Sequence, residues 1–278
     1  MRMVVLGARG LLGRDLCAAA GRAHDVLPLD LPDCDITQRE AVREALRDHA
    51  PDSVVNCAAY TNVDDAESEP ERAFAVNADG ARNVALGCAQ LGANLIHLST
   101  DYVFAGDATE PYEAGAAAAP ASVYGRSKLA GEEAVREALT DALIVRSCGL
   151  YGLHGPSFAS AILTRALRGE PLKVVDDQTV GAPTYAVDLA DAIVRLAEAR
   201  DSGIRHIVNA GVCTWHEFAR VVLVCAGLGD YPIEPVTTEA LGRPAPRPRH
   251  SALSPSEPRL RPYREALAEF VPRWLARH

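Results

Sequence analysis

Tyr124 and Lys128 stand four residues apart in VYGRSKLAG, residues 123–131, and on a helix that spacing puts both side chains on one face. A phenol with an ordinary pKa of about 10 is a slow acid near neutrality, and a neighbouring ammonium lowers that value by stabilising the phenolate. The pair therefore reads as a proton donor, Tyr124, with a cationic partner. Lys is a compact charge with rotatable donors and can also hydrogen-bond a cofactor ribose, a geometry that planar Arg does not reproduce. A solvated helix face is the competing reading, and composition weighs against it. Only two of the 28 Lys and Arg residues are Lys, at 128 and 173, so a position needing only positive charge would here be Arg. Chance supplies about 0.06 Tyr-x-x-x-Lys pairs from eight Tyr and two Lys. Ser99 and Thr100 close a predicted strand, where a hydroxyl can hold and steer a reacting carbonyl.

A second constellation lies at the start of the chain. MVVLGARGLLGRDL places Gly7, Gly10 and Gly13 between a short apolar run and a helical pattern. Glycine permits a tight turn and close backbone approach, and the helix that follows offers unpaired N–H groups to a pyrophosphate. The spacing G-x-x-G-x-x-G departs from G-x-G-x-x-G, and a Gly-rich strand-to-helix turn with no ligand is the other reading. Asp30 ends the second predicted strand, where a carboxylate accepts from ribose hydroxyls and favours NAD. Arg9, inside the turn, favours NADP by pairing with a 2′-phosphate. Both readings stand, so the cofactor expected is NADPH or NADH. Asp35, with Ile36 beside it, could flank the adenine, or serve as a cap or turn residue.

These residues need a frame, and the hydrophobic pattern supplies one. Apolar runs at 3–6, 25–29, 53–57, 94–99 and 142–147 alternate with helical patterns at 11–22, 38–49, 70–91 and from Pro120 to about 138. Thr37 can cap the helix from 38, and Gly92 can end the one before it. Strands alternating with helices imply an α/β fold, a Rossmann-like doubly wound parallel sheet. Beyond about 150 the rhythm loosens, with helices expected at 157–168, 187–200, 215–226 and from 262, and a strand at 205–209. The expected division is a dinucleotide-binding domain over 1–150 and a smaller, mainly substrate-binding C-terminal α/β region over 151–278, with segments able to return to the sheet. GAAAAPA (115–121) reads as a loop, because Pro120 disfavours helix at Ala119.

Composition narrows the partners. The 278 residues carry a net charge of −9 and no block of Lys or Arg, which argues against nucleic acid. Seven Cys form no C-x-x-C pair and eight His form no H-E-x-x-H, so neither a zinc site nor a disulfide framework is expected, and whether a divalent metal assists stays open. No stretch reaches membrane-spanning length. A cytoplasmic protein with reduced thiols is the expectation.

Taken together, GARGLLG, NCAAYTNVDDAE (56–67), STDYVFAG (99–106), VYGRSKLAGE (123–132) and DQTVGAPTYAVDLA (177–190) resemble the extended short-chain dehydrogenases/reductases. More narrowly, they resemble the dTDP-4-dehydrorhamnose reductase family. The similarity runs in order through RPRHSAL (247–253) and RPYREAL (261–267). It implies a catalytic set of Thr100, Tyr124 and Lys128. It also implies a dinucleotide held by Gly7, Gly10, Leu11, Leu12, Asp30, Asp35, Ile36, Ala58, Ala59, Tyr60 and Ser99, to which the reading of the turn adds Arg9, with Tyr124 and Lys128 at the reacting end. Val63, Thr100, Asp101, Tyr124 and Gly149 would meet the substrate, a dTDP-linked 4-keto-6-deoxyhexose reduced at C4, in a monomer or homodimer. Two rivals follow from the same fold. One is a non-catalytic regulatory subunit, which the retained Thr100, Tyr124 and Lys128 argue against. The other is a dehydratase or epimerase, which typically places a Glu-type base where this chain has Asp101-Tyr102. One departure stands out: R-S-C-G-L-Y puts Gly149 where the family has a Trp expected to contact the sugar. Either the site accepts a differently shaped hexose, or another side chain, Tyr151 or Phe158, fills the gap.

Overall fold

Strands buried on both faces must be short and apolar, and the runs identified above meet that demand. The computed structural model describes residues 1–278. In chain order, β1 (Arg2–Leu6), α1 (Leu11–Ala20), β2 (Asp25–Leu29), α2 (Arg39–His49) and β3 (Ser53–Asn56) alternate as expected. The helical stretch that follows is divided into α3 (Asp65–Ser68), α4 (Pro70–Phe74), a π-helical turn over Ala75–Gly80, and α5 (Ala81–Leu91). Next come β4 (Asn94–Thr100), α6 (Val123–Ala138), β5 (Leu143–Ser147), α7 (Phe158–Leu167), β6 (Leu172–Val175) and α8 (Ala186–Glu198). The chain ends through β7 (Gly203–His206), α9 (Trp215–Cys225), β8 (Ile233–Val236), α10 (Thr238–Leu241) and α11 (Tyr263–Leu275).

Six strands form one sheet in the order β2-β1-β3-β4-β5-β7, and every pairing in it is parallel. Successive residues of β1 serve opposite faces: Val5 packs with Leu12, Leu16, Leu189 and Ile193 of α1 and α8, while Val4 and Leu6 pack with Val42, Leu46 and Val84 of α2 and α5. Pro28 lacks an N–H but lies in β2, an edge strand, where a missing donor is tolerated. Both α8 and β7 lie past residue 150 yet belong to this sheet layer. A separate core under α7, α9 and α11 gathers Leu163, Phe218, Val222, Phe270 and Trp274, next to a two-stranded sheet of β6 and β8.

Local expectations meet mixed outcomes. Gly92 ends α5 at φ 66°, donating its N–H to the Cys88 carbonyl, and 115–121 contains no helix. Thr37 does not cap α2. Its N–H and hydroxyl both go to the Asp35 carboxylate, at 2.9 and 2.8 Å, and Gln38 occupies the cap position without a side-chain bond. The four-residue strands β6 and β8, LKVV and IEPV, gave no alternating signal long enough to predict. No helix is long and apolar enough to cross a membrane.

One charge sits in the middle of this apolar sheet. Arg146 on β5 is only 3% exposed. Its Nε and Nη2 donate to the two carboxylate oxygens of Glu132 on α6, at 2.9 and 2.6 Å, and the Ser99 hydroxyl on β4 donates to the same carboxylate. Removing one partner of such a pair leaves an uncompensated buried charge. Arg146→Met is expected to lower the unfolding free energy by about 3–5 kcal/mol in urea titration, with most of it recovered on adding Glu132→Leu.

Candidate active site

A cleft of about 570 Å3 lies over the ends of β1, β2, β3 and β4, including the gap between β1 and β3 where the strand order reverses. Gly7 has φ +75°, and a Cβ there would stand 2.7 Å from the Ala58 nitrogen, so only glycine fits. A Cβ on Gly13 would run into the Gly7 carbonyl, which lets α1 start directly beneath the turn. Gly10 is the N-cap of α1, and no side chain bonds to the first-turn amides. Left-handed turn, close strand approach and uncapped helix start together fit a dinucleotide pyrophosphate.

At the far end of the cleft, Asp30 accepts from the Arg9 and Leu31 backbone amides at 2.7 and 2.8 Å. The Arg9 guanidinium donates to the Leu31 carbonyl at 3.0 Å and pairs with Asp33 at 3.1 Å. The acidic and basic candidates thus meet at one corner, and neither is free of protein partners. Leu11, Leu12, Asp35, Ile36, Ala58, Ala59, Tyr60, Ser99, Tyr124 and Lys128 all line the same cleft. Asn77, in the π-helical turn, accepts from the Tyr60 N–H at 2.8 Å and donates to the Tyr60 carbonyl and the Ser127 hydroxyl at 3.0 and 2.9 Å. It pins the 58–60 segment to α6. Nothing in a helical run marks such an Asn in advance. Leu31, Cys57, Arg72 and Leu150 also line the cleft, brought there only by folding.

The reacting end is assembled from β4 and α6. Ser122 caps α6 by accepting the Gly125 N–H at 3.0 Å, which puts Tyr124 in the first turn and Lys128 one turn later. Burial pushes the Tyr124 phenol well above its ordinary value, opposed by a hydrogen bond with Thr100, so the free site holds a neutral phenol able to donate. The expected lowering by Lys128 is not what the structure displays. The Lys128 ammonium donates instead to the Leu98 carbonyl at 2.7 Å, and burial pulls its pKa from 10.5 to about 8, with Glu132 opposing. Thr100 donates to Asp101 at 3.0 Å. Asp101 is 4% exposed and sits behind Thr100, so it backs that hydroxyl rather than lining a cleft. Burial pushes the Asp101 carboxyl up to about 6 against hydrogen bonds from Ser251 and Thr100.

A second cavity, about 250 Å3, is lined by Val63, Tyr102, Phe158, Trp215, Arg243 and Arg247 among others. The Tyr102 ring meets that of Tyr124 edge-on at 5.6 Å, so Tyr124 stands between the two cavities. Arg247 is fixed by Asp64 through two bonds of 2.8 Å. Tyr151 does not fill the space beside Gly149: it is 1% exposed and stacks on Tyr185 in the C-terminal core. Phe158 does line the cavity, together with Trp215, which no motif had marked. No group of His, Cys, Asp or Glu is arranged to hold a metal.

Residues 1–275 match the family model of the RmlD substrate binding domain. Among curated proteins, the chain is 43% identical to a dTDP-4-dehydrorhamnose reductase of Mycolicibacterium smegmatis, over 97% of this chain and 85% of that one. It is also 43% identical to a probable dTDP-4,6-dihydroxy-2-methyloxan-3-one 4-ketoreductase of Streptomyces antibioticus, over 99% and 96%. Among solved structures, a dTDP-4-dehydrorhamnose reductase from Bacillus anthracis in complex with NADP superposes with a TM-score of 0.94 at 36% identity, covering 98% of this chain and 99% of that one.

With only two lysines in the chain, carbon-13 labelling at lysine Cε gives two NMR signals. The one lost in Lys128→Met should titrate near 8; titration at the ordinary 10.5 would refute the desolvated ammonium. Because the unfolded chain binds this proton up to 10.5, the same shift should make stability rise with pH between about 8 and 10.5.

Proposed function

Since the chain belongs to the RmlD substrate binding domain family, we propose that it reduces the C4 ketone of a dTDP-linked 4-keto-6-deoxyhexose, using NADPH or NADH. The observation that carries this reading is the position of Tyr124, a half-buried neutral phenol on the wall of the dinucleotide cleft whose ring touches Tyr102 of the second cavity. A dinucleotide in the first cleft supplies a hydride. The remaining work belongs to the protein.

The glycine turn and the open start of α1 hold the pyrophosphate, and Asp30 with Arg9 face the adenosine end. The Thr100 hydroxyl turns its single proton from Asp101 to the ketone oxygen, which positions and polarises the carbonyl. As C4 becomes tetrahedral, the Tyr124 hydroxyl passes its proton to that oxygen, leaving an alcohol and a phenolate. The Lys128 ammonium compensates the phenolate charge and orients the ribose. Thr100 and Lys128 are buried, so their interactions at the reacting centre are stronger than in solvent. A relative named as a dTDP-4-dehydrorhamnose reductase and one named for another 4-ketoreduction are equally similar to this chain, so the class extends to specialised deoxysugars. Seven free thiols suit a reducing cytoplasmic setting. The assembly proposed is a monomer or homodimer.

Tyr124→Phe should lower kcat by about 10²–10⁴-fold while leaving dinucleotide affinity within about twofold. Stopped-flow reduction and dinucleotide fluorescence titration read the two quantities, and near-normal turnover would defeat the assignment.

A further inference from the structure

Trp215 lines the second cavity and is backed by the segment that follows β5. Thr100 pairs in register with Ser147 at the end of β5, and Gly149 follows two residues later. Gly149 has φ +52°, and a Cβ there would stand 3.0 Å from the Pro183 Cβ and 3.1 Å from Cη2 of Trp215. The volume a side chain at 149 would need is therefore taken by an indole arriving from α9. Its placement is firm. Thr214 and Glu217 cap each other's amides at the start of α9, at 3.1 and 2.9 Å, and the Thr214 hydroxyl is tied to Asp176 at 2.9 Å. The Trp215 ring lies 4.6 Å from that of Phe158 and meets Phe218 edge-on.

We infer that Trp215, admitted by the missing side chain at Gly149, is the specificity-determining wall against which the hexose of the dTDP-sugar packs. The inference rests on the ketoreductase reading above. A 6-deoxyhexose presents ring C–H groups and a methyl, an apolar face that suits a flat indole, whereas its hydroxyls need partners elsewhere. The wall serves the sugar rather than the thymine because Gly149, which the indole edge abuts, lies two residues beyond Ser147, the strand partner of Thr100. Any residue larger than Gly at 149 strains the backbone and pushes the indole off its place.

The chain has only two Trp, 215 and 274, and Trp274 is buried in the C-terminal core, so intrinsic fluorescence reports on the wall without turnover. Wild type, Trp215→Phe, Trp215→Ala and Gly149→Ala are titrated, by calorimetry for affinity and by fluorescence for quenching, with dTDP and with two dTDP-6-deoxyhexoses, dTDP-L-rhamnose and dTDP-D-fucose, using whichever sugar binds wild type more tightly. Expected are quenching by the sugar nucleotide but not by dTDP, loss of that quenching in Trp215→Phe, and about tenfold weaker binding of the sugar nucleotide to Trp215→Ala. Binding of dTDP and NADPH to Trp215→Ala should stay within about twofold, KM for the ketosugar should rise in parallel, and Gly149→Ala should shift the same quantities by less. Equal weakening of dTDP and the sugar nucleotide, quenching that persists in Trp215→Phe, or an unchanged KM would overturn the inference. Wild-type turnover of dTDP-4-keto-6-deoxyhexoses is measured first: its absence would sink the ketoreductase reading, whereas turnover with an unchanged KM in Trp215→Ala would sink only the role of the wall.

Discussion

The Glu132–Arg146 pair is the contact on which the arrangement of the site depends. A parallel sheet covered on both faces has no water to spare for a guanidinium, so Arg146 must find its counter-charge inside the protein. It finds it on α6, and Ser99 on β4 joins the same carboxylate. The three elements so joined are those that carry Thr100, Tyr124, Lys128 and, just past β5, Gly149. An ion pair of this kind adds little net stability over apolar packing. What it supplies here is relative placement, because its two short bonds are satisfied in one arrangement of helix and strands.

Around that centre the protein divides its labour by chemistry. The dinucleotide end relies on backbone: a left-handed Gly7, a Gly13 with no room for a methyl, and the uncapped amides of α1. The reacting end relies on buried side chains, where desolvation dominates the electrostatics. Burial raises the phenol and lowers the ammonium, so both groups favour their neutral forms more than they would in water. In the free site Tyr124 holds a neutral phenol and Lys128 is held by a carbonyl rather than by the phenol. The proposed pairing of Lys128 with phenolate charge is one that the resting site does not display.

Legibility in the sequence followed the range of the interactions concerned. The β1–β5 alternation, the glycine turn and the Tyr124/Lys128 face depend on residues near one another in the chain, and all were readable from spacing. Thr37 was misjudged because Asp35, two residues away, competes for its hydroxyl and wins. Strands β6 and β8 escaped because four residues pairing across sixty others leave no periodic trace. Asn77, Glu132 and Arg146 look like ordinary polar positions until folding brings them to Tyr60, Ser99 and one another.

From the sequence by itself came the parallel α/β frame, the glycine turn and the Tyr124/Lys128 pair proposed for proton delivery, since each is a local pattern of residue types acting over a few bonds or one helical turn. Tertiary structure alone decided which way Lys128 points, that Asp101 backs Thr100, and that the space beside Gly149 belongs to Trp215 rather than Tyr151. Residues 149 and 215 lie on opposite sides of α7, α8 and β7 in the chain, and steric exclusion acts only between groups that the fold has already placed in contact.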